Sequence, residues 1–176
     1  MAYSTGVSAD GDALCTDCGL CCDGTFYGSV VVRAEETERL ARVGLPVLQN
    51  DGACSMAQPC TALRGHLCNA YADRPSACAG YECELRKKVN DGACSLEEAR
   101  EQIAGMRALL VTIRDGFEIP ERGSIWEKIL TLEEPATPEA AAIAVVRYGP
   151  AIAAVGQLLT LGRAAFEPRF AGGGSR

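Results

Sequence analysis

The chain has 176 residues, 48% hydrophobic and 23% charged, values that suit one domain with a real core, or one domain plus a helical extension. Its net charge is -6 and its pI about 4.9. No basic patch interrupts that acidity, which disfavours a nucleic-acid partner.

Met1–Leu14 has neither a basic n-region nor an apolar h-region, so it does not read as a secretory signal. Ala140–Leu161 is the most apolar stretch, but Arg147, Gly149 and Pro150 interrupt it before the ~20 apolar residues of a membrane span accumulate. We therefore expect a soluble, cytoplasmic protein with no membrane partner. In that compartment clustered cysteines point to metal before disulfides.

In chain order, residues 1–13 are small and polar and read as a flexible lead-in. Tyr27–Val32 is β-branched and opens with glycine, which predicts a short strand. Ala34–Val43 predicts a short helix, acidic at its start and basic at its end, stopped by Gly44 and Pro46. Asn50–Cys83 is rich in cysteine and turns, and predicts short strands and single helical turns. Residues 14–94 thus form one cysteine-cluster module, ordered by ligand bonds in place of a large core.

Residues 95–170 change character and predict a helical region packing on the module. Ser95 and Glu98 make a capping box, followed by Leu96, Ala99, Ile103, Met106, Leu110 and Ile113 on one helix face, with Asp115-Gly116 as the stop. Glu97, Glu98 and Glu101 read as a solvated face. Ser124 and Glu127 open a second helix containing Ile125, Trp126, Ile129 and Leu130. Thr137-Pro138 opens a third, which runs toward Phe166 with a break or kink at Gly149-Pro150. Its apolar circumference suggests a homodimer or a helical protein partner. Residues 171–176 read as a disordered tail. The expected class is α+β, a small metal-stabilised cysteine-rich module followed by an α-helical C-terminal region.

Asn50-Asp51-Gly52-Ala53-Cys54-Ser55 recurs letter for letter as Asn90-Asp91-Gly92-Ala93-Cys94-Ser95. The flanks differ, so the repeat reads as two Asp-Gly turns that each deliver a cysteine. Cys54 and Cys94 acting as a matched pair is the alternative.

All ten cysteines fall between Cys15 and Cys94, and the chain has a single histidine, His66. Cys15-x-x-Cys18-x-x-Cys21 aims several thiolates at one small volume, and Gly19 tolerates the positive φ of a metal knuckle. The same triple spacing occurs in ferredoxins, but their fourth cysteine and its proline are missing. Cys22 adds a constraint. Adjacent side chains diverge, so Cys21 and Cys22 should serve different ions, or different atoms of one polynuclear centre. Sulfur-only ligation selects zinc, iron or cuprous copper, and about eight thiolates fill two four-ligand sites. His66 reads as a surface loop residue, with ligation as the alternative.

Cys68-x-x-Tyr71-x-x-Arg74-Pro75-x-x-Cys78, with the Cys15–Cys22 opening, the Val30–Val32 strand, the Glu38-Arg39-Leu40 helix and Cys60-x-x-Leu63, resembles the CxxCxxCC cysteine-cluster family (YkgJ-like, zinc- or iron-chelating). The resemblance covers Cys15–Cys83. It implies Cys15, Cys18, Cys21, Cys22, Cys60, Cys68, Cys78 and Cys83 as metal ligands and leaves Cys54 and Cys94 outside. It also associates the chain with flagellin lysine methylases. Arg74 reads either as a counter-charge beside the thiolates or as an exposed residue at a helix start with Pro75 at N1. Tyr71 and Tyr81 read as core aromatics. No P-loop, dinucleotide fingerprint, nucleophile elbow or zinc-protease helix is present, and no catalytic residue stands out. The expected function is chelation of zinc or iron by the thiolate cluster. An iron–sulfur enzyme or redox protein is the alternative, and an extracellular disulfide scaffold a distant third.

Overall fold

The computed structural model describes residues 9–121, 123–132, 135 and 137–166. The tail expected over 171–176 and the first eight residues of the expected lead-in lie outside them. The fold is mixed α+β, with small sheets and short helices in the cysteine-rich part and long helices after it. The chain divides into two compact units, residues 1–101 and 102–176.

In the first unit, α1 (Ala9–Cys18) begins inside the expected lead-in, because Asp10 and Asp12 sit in its first turn and favour a helix start there. Strands β1 (Ser29–Val32), β2 (Leu48–Asn50) and β3 (Ala53–Ala57) form an antiparallel sheet in the order β1-β3-β2. A single 3-10 turn, Ala34–Glu36, leads into α2 (Thr37–Arg42). The β2–β3 register pairs Asn50 with Ala53, so the loop is only Asp51-Gly52, with φ of 48° and 81°. Positive φ at both positions is the turn whose twist matches paired strands. Val32, Leu40, Leu45, Met56, Cys60 and Leu63 close the core under this sheet. Leu40 is fully buried, which contributes about 1.5–3 kcal/mol.

The second copy of the repeat does something else. It ends α4 (Glu84–Asn90), where Asp91 keeps a helical φ and Gly92 turns to +71°, while Ala93 and Cys94 donate back to the Lys88 carbonyl. The same six letters therefore make a hairpin turn after a strand and a C-terminal cap after a helix, because the preceding element decides what the Asp-Gly pair continues. Between the two copies, β4 (Leu63–Arg64) and β5 (Leu67–Cys68) form a second hairpin, and α3 (Ser76–Ala79) is one turn. Helix α1 packs against α4 and β5, and α3 packs against β1.

Helix α5 (Leu96–Phe117) carries the predicted capping box. The Glu98 N–H donates to Ser95 Oγ at 3.1 Å, and the Ser95 N–H donates to Glu98 Oε2 at 2.8 Å. Ser124 Oγ caps α6 (Ile125–Leu130), and Thr137 Oγ1 caps α7 (Pro138–Phe166). Helix α5 ends at Phe117, one residue past the expected stop at Asp115-Gly116, and in the second unit Gly116 is also a packing position. A Cβ there would lie 2.6 Å from the Ala151 methyl of α7, and Phe117 stacks on Tyr148. Of the break or kink expected at Gly149-Pro150, the break is absent, and α7 is continuous over 29 residues with Pro150 inside it. Pro150 is exposed, and the carbonyl it leaves unpaired belongs to Val146, 82% exposed, where solvent can take the lost donor's place. As one helix, α7 has the length and apolarity to cross a bilayer, with a mean hydropathy of 1.5, so the three interruptions do not shorten it as the sequence suggested.

Candidate metal centre

Four elements of the first unit, α1, β5, α3 and α4, and the turns between them carry the predicted cysteines. Cys15 and Cys18 lie on α1, Cys18 as its last residue. The chain then reverses at Gly19, φ +68°, where the Cys22 and Asp23 N–H groups both donate to the Gly19 carbonyl. This tight turn sends Cys21 and Cys22 on from α1. A Cβ on Gly19 would lie 2.8 Å from the His66 carbonyl oxygen, so only glycine lets the turn rest against the β4–β5 hairpin that ends in Cys68. Cys60 joins through the backbone, its N–H donating to the Cys22 carbonyl at 2.7 Å. Cys78 sits in α3, and Cys83 caps α4, with its sulfur accepting from the Arg86 N–H at 3.4 Å.

The charge environment separates the two adjacent cysteines. Burial raises the Cys21 thiol well above its ordinary value, and Cys18, Cys83, Cys22 and Cys15 raise it further. Burial also raises Cys22, but its next contributors are Cys68, Cys60 and Cys78, followed by Cys15. Cys78 is pushed up to about 11, first by burial and then by Cys60 and Cys68. Cys68 is raised by burial, against a lowering hydrogen bond from the Ala70 N–H. Cys83 is raised by burial, against a lowering hydrogen bond from the Arg86 N–H. After burial, the sulfurs that raise Cys21 most are Cys18 and Cys83, those that raise Cys22 most are Cys68, Cys60 and Cys78, and Cys15 acts on both.

Two arginines serve these groups. Arg74 places Nη1 3.9 Å from Cys15 Sγ and lies 3.5 Å over the Tyr71 ring, and its charge lowers Cys68 and Cys78. Of the two readings of Arg74, the one beside the sulfurs is the one observed, and Pro75 is the residue preceding α3 instead of its first. Arg86 is 6% exposed and pairs with Asp12 at 3.0 Å, and its charge lowers Cys83. Asp12 also accepts from the Tyr71 hydroxyl at 2.8 Å. Asp12 and Arg86 went unnoticed in the sequence because each looks like an ordinary surface charge on a short polar stretch. Their partners are 59 and 74 residues away in sequence.

Tyr71 and Tyr81 are not core aromatics. Both line a cleft beside Cys15, Cys21, Cys22, Cys68 and Cys78. The Tyr81 and Tyr27 hydroxyls hydrogen-bond at 2.6 Å, and burial holds the Tyr81 phenol well above its ordinary value. His66 is exposed, as a loop histidine. Cys54 lies on β3, with Thr37 Oγ1 4.0 Å from its sulfur, and Cys94 follows the α4 cap. Among the described residues no disulfide joins two cysteines.

Among the described residues, no three cysteine, histidine, aspartate or glutamate side chains converge tightly enough to hold an ion as they stand. The donor chemistry of the two neighbourhoods nonetheless suits a soft cation, since their mutual charge effects come from sulfur and are relieved when a metal replaces the protons.

The model of a cysteine-cluster family, CxxCxxCC, described as "Putative zinc- or iron-chelating domain", matches residues 14–103. No curated protein and no solved structure matches the chain.

Proposed function

Because the chain belongs to the CxxCxxCC family of zinc- or iron-chelating domains, we propose that it holds two metal ions in two sulfur sites. Cys15, Cys18, Cys21 and Cys83 would make one site, and Cys22, Cys60, Cys68 and Cys78 the other. The observation that supports this is that the adjacent Cys21 and Cys22, both raised first by burial, are raised next by different sulfurs, Cys18 and Cys83 for one and Cys68, Cys60 and Cys78 for the other, with Cys15 acting on both. Four thiolates complete a tetrahedral zinc or iron shell without another donor.

A divalent ion with four thiolates keeps a net negative charge. Arg74 and Arg86 offset it, one beside Cys15 and the other behind Cys83. The Arg86 N–H also holds the Cys83 sulfur in position at the start of α4. The raised thiols mean that loading releases protons, so affinity falls as pH falls. Zinc is the favoured ion, with an iron–sulfur centre as the finer alternative. A reducing, cytoplasmic setting suits sulfurs held by metal.

Anaerobic purification with elemental analysis and visible absorption tests the reading. The expected result is about two zinc ions per chain and no colour. Cys21→Ser and Cys22→Ser should each lose about one ion while keeping the other. A brown protein with iron and sulfide would favour the cluster alternative, and no stoichiometric metal would end the proposal.

A further inference from the structure

Two side chains from distant segments meet a third at one atom. Asp12 Oδ1 accepts from the Tyr71 hydroxyl at 2.8 Å and from Arg86 Nη2 at 3.0 Å. Each of the three residues lies three positions from a cysteine: Asp12 before Cys15, Tyr71 after Cys68 and Arg86 after Cys83. On α1 that spacing sets Asp12 and Cys15 on one helix face. At the start of α4 it lets the Arg86 N–H reach the Cys83 sulfur at 3.4 Å. Cys15 and Cys83 belong to one proposed site and Cys68 to the other. One carboxylate oxygen therefore ties together three segments that carry ligands of both.

The tie extends to both counter-charges. The Arg86 side chain is buried, and its Nη1 donates to the Tyr81 carbonyl at 3.4 Å, so the guanidinium bridges α1 and the chain just before Cys83. A guanidinium so far from water needs an anionic partner, which Asp12 supplies. Tyr71 carries the tie onward to Arg74, whose Cζ lies 3.5 Å from the ring centroid while its Nη1 lies 3.9 Å from Cys15 Sγ. A continuous path thus runs from Cys83 through Arg86, Asp12, Tyr71 and Arg74 to Cys15. Asp12 is itself half-exposed, and a half-exposed ion pair adds little stability on its own. What it aligns matters more than what it stabilises.

We propose that Asp12 is a positioning residue of the metal centre. Its Oδ1 fixes Arg86 and Tyr71, and the Tyr71 ring fixes Arg74, so both guanidinium groups stay beside the sulfurs. This role rests on the two-ion reading above. Charge alone would give Asp12 the opposite effect. A divalent ion with four thiolates is already anionic, so removing a nearby carboxylate charge would by itself tighten metal binding. Loss of alignment loosens it, and groups that orient metal ligands typically contribute about 10–100-fold in affinity.

Competition of the full chain against a chromophoric chelator, with zinc as the metal and both binding steps resolved, tests the role. Asp12→Asn keeps the shape and loses the charge, and should weaken both ions several-fold. Asp12→Ala should weaken both by about tenfold or more. Tyr71→Phe keeps the ring under Arg74, removes only the hydroxyl, and should weaken binding several-fold. A chain with both Asp12→Ala and Tyr71→Phe should bind within about twofold of Asp12→Ala alone, because the hydroxyl has already lost its acceptor. Cobalt(II) at saturation gives a readout that a loss of fold stability does not move: the sulfur-to-cobalt absorption should shift in Asp12→Asn. Wild-type or tighter zinc affinity in Asp12→Asn, additive effects in the double variant, weakening confined to one ion, or an unshifted cobalt band would each overturn the proposal. A wild-type chain without stoichiometric metal would remove the two-ion reading and this role with it. A loaded wild type with indifferent Asp12 variants would remove this role alone.

Discussion

At Gly19 the backbone has φ +68°, and a side chain would meet the His66 carbonyl oxygen at 2.8 Å. The two penalties add: an L-residue loses about 1–2 kcal/mol in the left-handed conformation, and overpacking adds about 1–3 kcal/mol. Gly19→Ala should therefore lower the unfolding free energy by roughly 2–5 kcal/mol, measured by urea denaturation. The thiols make a second residue-scale prediction. Cys21, Cys22 and Cys78 are raised in the folded chain, chiefly by burial, Cys78 to about 11. A folded state that prefers the neutral thiol is favoured below the ordinary thiol value, about 8.5, and that advantage is lost as pH rises through the folded value. The metal-free protein should accordingly lose stability between about pH 8.5 and 11, with its thermal midpoint falling across that window. At this scale the sequence was informative about the sulfurs, since the divergence of Cys21 and Cys22 follows from adjacency alone. It was silent on Asp12 and Arg86, whose surroundings come from distant segments.

Among the elements, α5 contains two glycines with different duties. Gly105 has open space where a Cβ would go, whereas Gly116 would meet the Ala151 methyl at 2.6 Å. Gly116→Ala should therefore destabilise the protein by about 1–3 kcal/mol through overpacking. Gly105→Ala should be neutral or stabilising by up to about 1 kcal/mol through helix propensity. Paired thermal melts separate the two. Helix starts were readable locally, because Ser95, Ser124 and Thr137 cap through bonds to residues three positions on. Helix ends were readable only in part. Asp115-Gly116 marks the end of α5 to within one residue, but Gly149-Pro150 does not break α7.

In the whole molecule, much of the regular helix lies in α5, of 22 residues, and α7, of 29 residues. The cysteine-rich part has a small apolar core under its sheet and otherwise short strands and brief helices, and we read its order as owing much to bound metal. Chelation should thus remove the smaller part of the far-ultraviolet circular dichroism signal while exposing residues before Cys83 to protease. Loss of the whole signal would mean that the helices after Ser95 also depend on the metal.

The sequence by itself determined the α+β class, the three capped helix starts and the cysteine-cluster family, because caps, apolar periodicity and cysteine spacing are local properties of the chain. Only the tertiary structure decided that one six-residue repeat makes both a hairpin and a helix cap, and that Tyr27, Tyr71, Tyr81 and Arg74 share a cleft. Those outcomes depend on contacts between segments tens of residues apart, and spacing along a chain does not specify distance through space.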